Sequence, residues 1–97
     1  MDDRYFVVKA AACRFKELNL PHTWDLRLEV KFVCLQGALL RKMPEPSSND
    51  STMYDHLTLL VENMATAEEP RIWYIKLSEH LDEMIAAVKD KDGDTVV

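Results

Sequence analysis

The chain has 97 residues, 47% apolar and 30% charged, which fits one folded domain and leaves no room for a second core. Twelve Lys and Arg against 17 Asp and Glu give a formal charge of −5. These values exclude disordered, collagen-like and disulfide-scaffold classes. With two glycines against an average expectation of about seven, turn-rich all-β sandwiches are disfavoured. No apolar run reaches the roughly 18 residues that would span a bilayer. The start Met1-Asp2-Asp3, with Lys9, Arg14 and Lys16 soon after, does not form a secretory signal. A cytoplasmic location follows as the expectation.

The first segment, about residues 3–18, places Val8, Ala11, Ala12, Phe15 and Leu18 on one helical stripe, with Lys9 and Lys16 outside. Phe6 and Cys13 fall off that stripe. A turn is expected at Asn19-Leu20-Pro21-His22.

The second segment is ambiguous. Trp24-Asp25-Leu26-Arg27-Leu28-Glu29-Val30-Lys31-Phe32 alternates apolar and charged residues, the pattern of a strand. As a helix, residues 24–43 show no single clean face. A strand, however, needs a partner for its backbone groups. The only other strand-like run, Ile72–Leu77, fits better inside a helix. The expectation is therefore a helix, with an α+β domain having strands near 24–35 and 71–77 as the alternative.

Pro44-Glu45-Pro46-Ser47-Ser48-Asn49-Asp50-Ser51-Thr52 is rich in loop formers and reads as a connection over 44–52. The third segment, roughly 52–65, repeats the helical pattern through Met53, Leu57, Leu60, Val61 and Met64, with Asp50 or Ser51 as its cap. Thr66-Ala67-Glu68-Glu69 fits a capping box for the helix that follows. That fourth segment, about 70–90, has the clearest periodicity. Trp73, Tyr74, Leu77, Leu81, Met84, Ile85 and Val88 share an arc opposite Glu79, Asp82, Glu83 and Asp90. Pro70 suits its first turn, and the charges at its two ends have the signs that the helix dipole favours. Residues 91–97 read as a flexible acidic tail. The predicted fold is an all-α, single-domain antiparallel bundle of about four helices spanning 1–97.

No cofactor or catalytic constellation assembles. His22, His56 and His80 form no HxxxH pair, and His80 with Glu83 reads as a solvated surface pair. The tail Asp90-Lys91-Asp92-Gly93-Asp94 lacks the first and last ligands of a calcium loop. There is no phosphate-binding glycine loop and no nucleophile elbow. Cys13 and Cys34 read as reduced, buried and inert thiols. No cofactor, no metal and no catalysis are expected.

Charge is segregated. Residues 1–43 hold eight basic and five acidic side chains, a net of +3, and residues 44–97 hold four basic and twelve acidic, a net of −8. On the outward face of the fourth segment, Ile72 and Ile75 lie among Glu79, Asp82, Glu83 and Asp90. An apolar centre with a charged rim has the make-up of a contact surface. The functional expectation is a non-enzymatic interaction module. Through these six residues it occupies a basic protein surface, as an inhibitor or accessory protein of a nucleic-acid-handling complex would. Small size and the lack of motifs also fit an accessory protein of a phage or mobile element. The alternative is a structural homo-oligomer, such as a homodimer, in which the basic half of one chain meets the acidic half of another. Direct nucleic-acid binding is not expected, because the basic residues are interleaved with acids rather than clustered with aromatics.

Overall fold

Four stretches of good helix formers become four helices: α1 (Arg4–Glu17), α2 (His22–Arg41), α3 (Asp50–Thr66) and α4 (Pro70–Gly93). The computed structural model describes residues 3–18, 22–41 and 50–93, with side chains described for 3–18, 26–41 and 50–89. Among the described residues there is no strand, so the α+β alternative does not hold.

Each helix buries one stripe in a single core. Val8, Ala11, Ala12 and Phe15 come from α1; Leu28, Phe32, Leu35, Ala38 and Leu39 from α2. Tyr54, Leu57, Leu60, Val61 and Met64 come from α3; Leu77, Leu81, Met84 and Val88 from α4. Trp73, Tyr74 and Ile85 pack on its edge. The second segment does have a clean inner face. Leu28, Phe32, Leu35 and Leu39 follow the 4-3-4 spacing of a buried helix stripe. Phe15 and Phe32 join α1 to α2, with ring centroids 5.9 Å apart.

The helices form a square in which α1 neighbours α2 and α3, and α4 neighbours α2 and α3. A cross-section of 24 × 19 Å matches two helices by two. Helix directions follow from the contacts. Arg4 meets Asp50 and Arg14 meets Glu62, so α1 and α3 run parallel. The short connections make the pairs α1/α2 and α3/α4 antiparallel, so α2 and α4 are parallel as well. Consecutive helices alternate in direction, as the sequence predicts, but α2 and α3 sit on a diagonal rather than side by side. Segment 42–49 therefore joins two helices that are not neighbours, which accounts for the long spacing between them.

Several local expectations are corrected. Asp50, Ser51 and Thr52 belong to the first turn of α3 rather than to the loop assigned to 44–52. Asp50 is the first helical residue of α3, and its carboxylate accepts a 2.9 Å hydrogen bond from the buried Arg4. Thr66 forms no capping box. It is the last residue of α3, and its hydroxyl turns back to the carbonyls of Glu62 and Asn63, while α4 starts later, at Pro70. The backbone of α4 continues through Gly93, into the stretch assigned to the tail. Of the turn expected at 19–22, His22 is already the first residue of α2, while residues 19–21, the loop over 44–49 and the tail at 94–97 lie outside the described residues. Among the described residues, no helix is long and apolar enough to cross a membrane.

Candidate functional site

The outer face of α4 is set by its inner one. Leu77, Leu81, Met84 and Val88 hold one side of the helix in the core, so residues half a turn away must face out. Ile72, Ile75, Glu79, Asp82 and Glu83 therefore share one outward strip, and all five are exposed. The isoleucines keep 49% and 48% of their surface in solvent, and no described helix covers them. The backbone of Asp90 continues the same helix, but its side chain lies outside the described residues.

The carboxylates of the strip differ in what they touch. Asp82 is held by Lys31 of α2, which donates a short hydrogen bond to it. Glu83 lies 3.8 Å from His80 Nδ1. Glu79 has no partner among the described residues. Among the described carboxylates of the strip, Glu79 and Glu83 are thus the ones not held by a cation.

On its α3 side the strip borders an open groove of about 510 Å³. Trp73 and Lys76 form one wall, with the ammonium 4.5 Å from the ring centroid. Leu59 and Asn63 of α3 form the other. His80, expected at the surface, is instead buried, with Nε2 2.8 Å from the Met53 carbonyl oxygen. Accepting that bond, the carbonyl fixes the proton on Nε2 and leaves Nδ1 facing Glu83. The ring of His56 stands edge-on to that of His80, at 4.8 Å between centroids. Sequence periodicity did not mark this groove, because its walls come from two helices. Its one local signal is Leu59, an apolar residue beside the buried Leu60 and off the inner stripe.

Two further features were not foreseen. Cys13 and Cys34 are exposed free thiols, not buried ones. Also, α2 carries a second apolar face: Leu26, Val30, Val33 and Leu40 are all exposed. Among the described residues, no group of three or more His, Cys, Asp or Glu side chains is placed to hold a metal ion. A further ion pair, Arg14–Glu62, lies elsewhere, between α1 and α3. There the hydrogen bond from Arg14 holds the Glu62 carboxyl below its ordinary value, and Glu62 in turn raises Arg14. No known protein family, curated protein or solved structure matches this chain.

Proposed function

We propose that this chain is a non-enzymatic protein-interaction module, an inhibitor or accessory protein that docks the outer strip of α4 onto a basic protein surface of the kind that handles nucleic acid. One observation carries the reading: Ile72 and Ile75, two large β-branched side chains, stand half in solvent beside Glu79 and Glu83. Apolar side chains supply affinity when a partner excludes water from them, and the neighbouring carboxylates select lysine- and arginine-rich surfaces. Trp73 and Lys76 on the groove wall extend the contact area toward α3.

The experiment is affinity capture from the native host, repeated with Ile72→Ser/Ile75→Ser and with Glu79→Lys/Glu83→Lys. The reading requires that both double variants lose the captured protein, that rising salt weakens capture, and that duplex DNA competes with it. Equal capture by wild type and both variants would rule the strip out. Capture that DNA leaves untouched would remove the nucleic-acid-handling partner while keeping the docking strip.

A further inference from the structure

The exposed face of α2 has a regular spacing that nothing inside the bundle uses. Leu26, Val30, Val33, Gly37 and Leu40 succeed one another at intervals of 4, 3, 4 and 3. That is the a/d spacing of a coiled-coil seam, and its natural occupant is another helix lying alongside for about 21 Å. The four large side chains are 49%, 62%, 60% and 67% exposed. The buried stripe of Leu28, Phe32, Leu35 and Leu39 occupies the opposite side of the same helix. So α2 has one seam filled within the monomer and one left open.

Gly37 adds an independent observation. It lies inside a 20-residue helix, where glycine destabilises by roughly 1 kcal/mol relative to alanine. Among the described residues, a Cβ there would meet only the Arg41 guanidinium, at 3.8 Å. Packing within the monomer therefore does not call for a glycine, whereas close approach of a second helix along the open seam does.

The flanks of the seam point to the occupant. Arg27, Cys34 and Arg41 recur every seven residues along the edge facing α4, where Arg27 lies beside Tyr74 and Ser78. Glu29 and Gln36 run along the edge facing α1, where Glu29 pairs with Lys16 at 3.3 Å. When two copies are related by a two-fold axis along the bundle, their α2 helices lie parallel. In that register Gln36 of each copy faces Arg41 of the other and Glu29 faces Cys34, so no like charges meet. When the axis runs across the bundle, Arg27 of one copy faces Arg41 of the other, and like charges meet. The geometry points to a homodimer in which a second copy of this chain lays its α2 parallel to the first along Leu26, Val30, Val33, Gly37 and Leu40.

The four side chains offer roughly 400 Å² of aliphatic surface per copy, about half of the ~800 Å² per partner in a standard interface. Flanking residues of α1 and α4 must supply the rest, so the dimer is a weak one, with dissociation in the micromolar range. Glu79 and Glu83 lie on a different side of the bundle, so this inference does not depend on the docking role of α4.

Sedimentation equilibrium of the full chain tests it, over concentrations from about 5 to 500 µM spanning the expected dissociation range. The particle mass is expected to rise from 11.2 kDa toward twice that value. Val30→Glu/Val33→Glu, both on the solvent side, should hold the protein monomeric throughout with an unchanged helical circular dichroism spectrum. In a Cys13→Ser/Cys34→Ser background, Leu40→Cys should link to itself under mild oxidation, because a parallel pair brings equal residues together. A monomer at the highest concentration overturns the inference, and so does a dimer indifferent to the Val30/Val33 change. A dimer in which Leu40→Cys fails to link overturns the parallel arrangement.

Discussion

Four single replacements along α2 separate a two-faced helix from a strand. In a strand, Leu26, Leu28, Val30 and Phe32 would all point to one side and their loss would be felt alike. In the helix, each two-residue step turns about 200°, so the four alternate between outside and core. Leu28 and Phe32 are 0% and 2% exposed, whereas Leu26 and Val30 stand out in solvent. Leu28→Ala should therefore destabilise by about 3 kcal/mol and Phe32→Ala by about 3–5, the usual range for a buried side chain that leaves a cavity. Leu26→Ala should stay within about 0.5 kcal/mol, and Val30→Ala should be neutral or slightly stabilising, since alanine is the better helix former. At this chain length 1 kcal/mol moves Tm by about 4–8 °C, so Leu28→Ala should lower it by roughly 12–24 °C and Leu26→Ala by no more than about 4 °C. The measurement is urea and thermal unfolding followed at 222 nm, at low micromolar protein so that self-association does not contribute. Equal losses at Leu26 and Leu28 would refute the helical placement of this segment.

The Arg14–Glu62 pair carries a pH signature. A carboxyl held below its ordinary value stabilises the fold above its unfolded pKa, and that contribution is lost as pH falls through the folded value. The stability difference between wild type and Glu62→Gln should thus be constant near neutrality and shrink on acidification below about 4.5, the ordinary carboxyl value; a difference unchanged down to pH 3 would contradict this. His80→Ala removes the bond to the Met53 carbonyl and should lower stability by about 1–2 kcal/mol in urea, more than the same change at exposed His56. Equal effects would contradict the burial of His80. Both cysteines should react with a thiol reagent in the native protein, and thiols silent until urea is added would contradict their exposure.

Three of the four helices were legible because each has one apolar stripe and a mixed opposite face. The buried residues Val8, Ala11, Ala12 and Phe15 of α1, and Leu77, Leu81, Met84 and Val88 of α4, are those that the 3.6-residue period selects. In α2 that signal is hidden. Two apolar stripes on opposite sides, with charged residues on the flanks between them, generate the apolar-charged alternation of a strand. The outward strip of α4 was legible for the same local reason: spacing alone places Ile72, Ile75, Glu79, Asp82 and Glu83 together. What each carboxylate touches was not, because Lys31 reaches Asp82 across 51 positions and Met53 meets His80 across 27. No local period encodes such separations. The cysteines were misjudged because an apolar neighbourhood in sequence was read as burial, although Cys13 already lay off the stripe of α1.

Charge segregation between the two halves has a use inside the molecule that its use outside has to be measured against. The first half supplies α1 and α2 and the second supplies α3 and α4, so the bundle is a basic layer on an acidic one. Arg4–Asp50, Arg14–Glu62 and Lys31–Asp82 all cross that boundary, each from a basic residue of the first half to an acidic residue of the second. Arg4–Asp50 is nearly buried, while the other two are exposed enough for water and salt to weaken them. These pairs favour the register in which α3 and α4 lie on α1 and α2, and an added salt bridge from a partner would have to compete with them at Asp82. Among the described side chains, the carboxylates that remain open on the strip, Glu79 and Glu83, are too few for charge alone to hold a partner. The proposed docking through α4 would therefore rest on Ile72 and Ile75, with the carboxylates choosing among partners rather than supplying most of the affinity.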